Sequence, residues 1–191
     1  MAPPRKRPLQ QRSRRTVELV LEAAAQVLEA GGLRGFNTNA VAARAGVSIG
    51  SLYQYFPGKD AVMAALVRHE AARFEAALGK ALAAVEAAPL GRAVAALVAV
   101  AVAHQTARPN LARILDLEER RLGLEAEADA ATRTTARRVA EFLASRGMAD
   151  AEVAAGDLLH MTRGMIDGAL PARRADLTAR ITRAALGYLG G

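Results

Sequence analysis

The sequence predicts an all-α protein, with a small N-terminal three-helix domain of helix-turn-helix type followed by a larger helical bundle. Three observations predict it. Of the 191 residues, 52% are hydrophobic but only 4% aromatic, and much of the apolar fraction is Ala, a strong helix former. Apolar residues recur at three- and four-residue spacings, as on one face of a helix. Breakers separate these stretches near Ala88-Pro89, Arg108-Pro109, Gly123, Gly147 and Pro171, and none keeps the period-two alternation of a strand.

Residues 1–13 are proline-rich, basic and poor in apolar side chains, the composition of a disordered arm. From Arg14, the positions Val17, Val20, Leu21, Ala24 and Leu28 define a first helix, which Gly31 and Gly32 should end. A second, short helix should start at Asn37-Thr38, either of which can cap it, with Val41, Ala42 and Ala45 inward. Ala45-Gly46-Val47-Ser48 reads as a tight turn: Gly46 can take positive φ, Val47 enters the core and Ser48 caps a third helix. That helix runs from Ile49 to about Tyr55 with Leu52 and Phe56 inward, Pro57-Gly58 breaks it, and a fourth begins at Lys59-Asp60. Later helices are expected over 60–86, 90–107, 110–121, 124–146, 150–169 and 173–189.

The formal net charge is +7 and unevenly placed: residues 1–60 hold nine Lys or Arg against four Asp or Glu. A polyanion would be drawn to this end, although charge alone fits a solvated basic tail equally well. The longest apolar run, Ala93 to Ala103, is short of the ~20 residues that span a bilayer. Glu18 and Glu22 interrupt any signal-peptide core, and there is no cysteine, so a soluble, cytoplasmic protein is expected. His69, His104 and His160 lack the spacing of a metal site, and neither a phosphate-cradling Gly loop nor a nucleophile elbow is present. No enzyme activity, metal or cofactor is expected.

Two short helices around a Gly-containing turn describe a helix-turn-helix. Its second helix is polar outside, with Ser48, Ser51, Gln54 and Tyr55, so it can enter a major groove about 12 Å wide. Gly50 permits close approach, Ile49 can meet a thymine methyl group and Gln54 a base edge. Thr38 and Lys59 stand at helix starts, which favour anions. Tyr53 and Tyr55 can donate to phosphates, though Tyr53 could also be partly core and Asn37 only a cap.

The stretch AGVSIGSLYQYFPGKDAV, within residues 14–66, resembles the signature of TetR-type regulators. Gly58 departs from it where a capping Ser or Asn is more usual, and Gly is a tolerated cap. The resemblance implies DNA contacts at Asn37, Thr38, Asn39, Ser48, Ile49, Gly50, Ser51, Tyr53, Gln54, Tyr55 and Lys59. Phosphate roles fall to Thr38, Ser48, Tyr53, Tyr55 and Lys59, and base-reading roles to Asn39, Ile49, Gly50, Ser51 and Gln54.

It further implies that residues 14–60 bind DNA and 61–191 form a ligand-binding and dimerisation domain. Candidate effector contacts are Phe74, Val98, Val102, His104, Gln105, Ile114, Leu115, Glu118, Met161 and Met165. Candidate dimer contacts are Leu158, Thr162, Ile166, Ile181, Ala185 and Tyr188, some of which must instead face the protomer's own core. The implied protein is a homodimeric repressor on a near-palindromic operator, released by an unidentified small molecule. A DNA-binding activator, or a DNA-organising protein without a ligand, would carry the same helix-turn-helix.

Overall fold

A computed structural model describes residues 7–169 and 176–190, and all the regular structure among them is helical. The elements are α1 (Arg7–Gly35), α2 (Thr38–Ala45), α3 (Ile49–Tyr53), α4 (Lys59–Ala84), α5 (Leu90–Thr106), α6 (Pro109–Arg121), α7 (Glu125–Ala144), α8 (Ala151–Ala169) and α9 (Leu177–Gly190). They form two compact units, each discontinuous in sequence. One holds the described residues up to His69 with Asn110–Leu124, the other Glu70–Pro109 with Glu125 onward.

In the first unit, Val20, Leu21, Ala24 and Leu28 of α1 are buried with Val41 and Ala42 of α2, Leu52 of α3, Phe56, and Val62, Met63 and Leu66 of α4. The positions in α1, α2 and α3 and Phe56 are the predicted inward faces, and α4 adds Val62, Met63 and Leu66. α1 starts at Arg7, within the segment expected to be a disordered arm, and Pro8 is tolerated there because the first helical turn has no intrahelical N–H bond to lose. The glycine stop works as anticipated at Gly32, whose φ of 59° and ψ of −164° interrupt the helical path before Gly35.

Leu111 and Ile114 of α6 belong to the same core. The Glu29 carboxylate of α1 accepts the Leu111 backbone N–H at 2.8 Å, and the Asn110 side chain donates to the Glu29 carbonyl at 3.2 Å. Free amides at a helix start need such partners, and α1 supplies one from 82 residues away.

The core of the second unit joins Val94, Val98 and Val102 of α5, Val139 and Leu143 of α7, Ala155, Leu158 and Ile166 of α8, and Ile181 and Ala185 of α9. Arg146 closes the end of α4: its guanidinium donates to the carbonyls of Val85, Glu86 and Ala88 and lies 4.7 Å from the Phe142 ring centroid. The predicted break at Pro171 and helix start at 173 lie outside the described residues. Among the described residues no single helix is long and apolar enough to cross a membrane.

Candidate nucleic-acid interface

Local sequence positions the helix-turn-helix. Asn37 takes an extended conformation and its side chain accepts the Ala40 N–H at 2.9 Å, capping α2. Gly46 ends α2 in the left-handed region, at φ 67°, and its N–H reaches back to α2 carbonyls, a turn that a side chain would strain. Ser48 then caps α3 by accepting the Ser51 N–H at 3.0 Å, and the two hydroxyls lie 2.8 Å apart. Leu52 and Phe56 are buried and Val47 packs partly beneath them, so only one orientation of α3 satisfies the core.

That orientation leaves the polar face outward. Ile49 is 38% and Tyr53 50% exposed, Ser48, Gly50 and Gln54 are exposed, and Ser51 and Tyr55 are half-buried. The Thr38 and Tyr53 hydroxyls are 3.2 Å apart, tying the start of α2 to the end of α3. Asn39 is exposed one residue on, and exposed Lys59 opens α4. The predicted DNA-contact residues therefore share one small unit.

Sequence reasoning missed two arrangements here. Arg44, exposed in the last turn of α2, donates through Nε to Gln26 Oε1 at 2.6 Å, and Gln26 in turn donates to Glu22 at 2.8 Å. A basic residue beside the turn was the available signal. The second arrangement joins α6 to the start of α4. Buried Glu118 pairs with Arg121 at 2.6 Å, and Arg121 pairs with Asp60, the neighbour of Lys59, at 2.7 Å. The Arg121 hydrogen bond holds the Asp60 carboxyl below the usual carboxylate range, and no spacing in the sequence announces it.

The candidate effector residues divide between the units. Ile114 and Leu115 pack in the core beneath the helix-turn-helix and Glu118 is ion-paired there. In the second unit, Val98 and Val102 share a core with Met161 and Met165, the Phe74 and His104 rings are 5.1 Å apart, and Gln105 is half-buried. Of the six candidate dimer residues, Leu158, Ile166, Ile181 and Ala185 are buried in the protomer's own core. Their side chains are thus largely covered within the protomer itself. Thr162 is half-buried and Tyr188 exposed, with the Tyr188 hydroxyl donating to Asp157 across α8 and α9 at 2.5 Å.

The fold and the outward face of α3 define a helix-turn-helix. Residues 20–66 match the family model of bacterial regulatory proteins of the tetR family. A protein from Mesorhizobium loti assigned to the TetR-family transcriptional regulators has 19% identity and a TM-score of 0.77, covering 93% of this chain and 96% of that one. The fatty acid degradation regulator FadR of Bacillus halodurans has 22% identity and a TM-score of 0.72, covering 92% and 95%. SmeT in complex with triclosan has 22% identity and a TM-score of 0.63, covering 91% and 90%. No curated protein matches the chain in sequence. Residues 20–66 thus resemble the DNA-binding segment of that family, and the whole chain shares the fold of these solved structures.

Proposed function

We propose that this chain is a homodimeric, cytoplasmic repressor that seats two copies of α3 on a near-palindromic operator and leaves it when a small molecule binds. The observation that carries the reading is the outward face of α3, where Ile49, Gly50, Ser51 and Gln54 face away from a core fixed by Leu52 and Phe56, flanked by Thr38, Tyr53 and Lys59. On this reading Thr38, Ser48, Tyr53, Tyr55 and Lys59 hold phosphates, and Asn39, Ile49, Gly50, Ser51 and Gln54 read bases. Two-fold symmetry puts the half-sites about one DNA turn apart, ~34–36 Å.

On this reading residues 14–60 bind DNA and residues 61–191 sense and dimerise. Dimerisation uses the accessible side of α8 and α9, where Thr162 and Tyr188 remain available and Val153 is 64% exposed. The effector is held by apolar side chains of the second unit, Val98, Val102, Met161 and Met165, with the Phe74–His104 pair. Such a mainly apolar setting with few polar anchors is usual for small-molecule sites. SmeT, which shares the fold, binds triclosan.

The test has two stages. Bound fragments selected from genomic DNA should share a near-palindrome, and compounds that raise the melting temperature should also lower operator affinity, by a coupling of ~1–3 kcal/mol. Fragments without a common sequence would sink the operator reading. Tight operator binding that no stabilising compound weakens would sink the release reading alone.

A further inference from the structure

Asp60 directly follows Lys59 in the first turn of α4, and its carboxylate is about half exposed. A negative charge there suits the free amides and dipole of the helix start. It does not suit a phosphate held by Lys59, because two anions at one helix start repel each other. Arg121 of α6, in the same compact unit, answers that charge. Its two terminal nitrogens donate to the two Asp60 carboxylate oxygens at 2.7 and 3.4 Å. Its Nε donates to Glu118 at 2.8 Å, and Glu118 is only 5% exposed. A buried carboxylate is costly without a cation, so Glu118 fixes the guanidinium where it meets Asp60. All three Arg121 nitrogens are thus engaged within the protein. The Arg121 hydrogen bond is the main cause that holds the Asp60 carboxyl low, and the Lys59 charge acts in the same direction, so Asp60 lies within the field of Lys59.

We propose that Asp60 and Arg121 set the strength of the Lys59 phosphate contact, Asp60 opposing the phosphate and Arg121 offsetting Asp60. The inference rests on the reading that Lys59 holds a phosphate. Arg121 is then a positioning residue for DNA binding, acting through Asp60 from a helix outside the helix-turn-helix. A pair that merely braced the start of α4 would behave differently: losing either partner would weaken DNA binding. Charge compensation instead demands opposite signs from the two losses, and restoration when both charges are removed together.

The test measures affinity of the full chain, at low salt where screening is weak, for a mixed-sequence duplex of about 30 base pairs, since phosphate contacts need no operator. Asp60→Asn should tighten binding by about threefold, Arg121→Gln should weaken it by about threefold, and the double variant should lie within about twofold of wild type, the scale of one unit charge acting through solvent. Asp60→Asn should do this while lowering stability, so affinity and stability move in opposite directions. Arg121→Gln strands buried Glu118, so if it does not fold, Glu118→Gln/Arg121→Gln is compared with Glu118→Gln and should show the same weakening. Weaker binding by Asp60→Asn as well as by Arg121→Gln would make the pair a brace and overturn the proposal. If Lys59→Ala weakens binding and neither charge change at the pair does, the proposal alone falls. If Lys59→Ala also has no effect, the phosphate reading of Lys59 falls with it.

Discussion

The Thr38 and Tyr53 hydroxyls share a hydrogen bond of 3.2 Å that joins the first turn of α2 to the last residue of α3. Both groups can still turn toward a phosphate, because one hydroxyl can donate and accept at once. Tyr53→Phe removes this bond at a half-exposed site, so the stability cost should stay within about 0.5 kcal/mol. Operator affinity should fall by a similar factor for every sequence variant, since phosphate contacts carry no base information directly. Affinity measured on an operator panel checks this, and a loss confined to particular base pairs would give Tyr53 a base-reading role instead.

Ser48 serves α3 and the proposed interface together. Ser48→Ala removes the acceptor for the Ser51 N–H, and loss of such a cap costs about 1 kcal/mol. Denaturant unfolding should show that loss without DNA. Ser48→Asp keeps an acceptor, so it should retain most of the stability while weakening DNA binding through its negative charge. If Ser48→Asp binds DNA as well as wild type, Ser48 stands away from the phosphates.

The Asp60–Arg121 pair gives a pH dependence of known sign. The folded-state carboxyl is depressed below its ordinary value of 3.8 by Arg121. Its contribution is therefore present above that value and is lost as pH falls through the lower folded value. Both side chains are about half exposed, so the effect is small and screened by salt. Asp60→Asn should be less stable than wild type at pH 7 in low salt. The gap should close in about 1 M salt, where screening is nearly complete at this range, and vanish well below pH 3.8. A gap that persists in acid would assign the effect to something other than the ion pair.

What was legible in the sequence is what neighbouring residues decide. Asn37, Gly46 and Ser48 act within three or four residues of themselves, so their roles could be read from spacing and were found as read. Lys59 opening α4 belongs with them. Periodicity also marked the apolar faces of α8 and α9, but it cannot say what covers a face. Leu158, Ile166, Ile181 and Ala185 are covered by their own protomer. Ile114 and Leu115 pack with α1 because Glu29 and Asn110 meet across 81 residues, and no local pattern records that meeting.

Gly79 sits in α4 where a Cβ would run into the Arg138 guanidinium. Arg138 there donates to the Glu75 carboxylate at 3.2 Å and to the Glu75 carbonyl at 3.1 Å, while Thr135 also donates to that carboxylate. Gly79→Ala should gain about 0.5–1 kcal/mol from helix propensity but displace the guanidinium, which is a flexible end and can move. The two effects should nearly cancel. With Arg138→Ala already made, Gly79→Ala should be stabilising by about the full propensity gain. A double-mutant cycle by urea unfolding reads this coupling, and additive effects would show that Arg138 does not rest on Gly79.

The central distinction is between Lys59, which should hold a phosphate, and Gln54, which should read a base. Both are exposed, at opposite ends of the Gln54–Lys59 segment that leads from α3 into α4. Neither supports the core, so substitution should leave folding intact. Lys59→Ala removes one cation per half-site. It should weaken binding to all sequences alike and make the dependence of log affinity on log salt shallower by ~1 for each phosphate that is no longer neutralised. Gln54→Ala carries no charge change, so the salt slope should hold. It should instead reduce discrimination at one base pair in each half-site, by ~1–3 kcal/mol if the contact is bidentate. Affinities across single-base operator variants at several salt concentrations separate the two signatures. An unchanged salt slope for Lys59→Ala, together with unchanged discrimination for Gln54→Ala, would remove α3 and the start of α4 from the DNA interface.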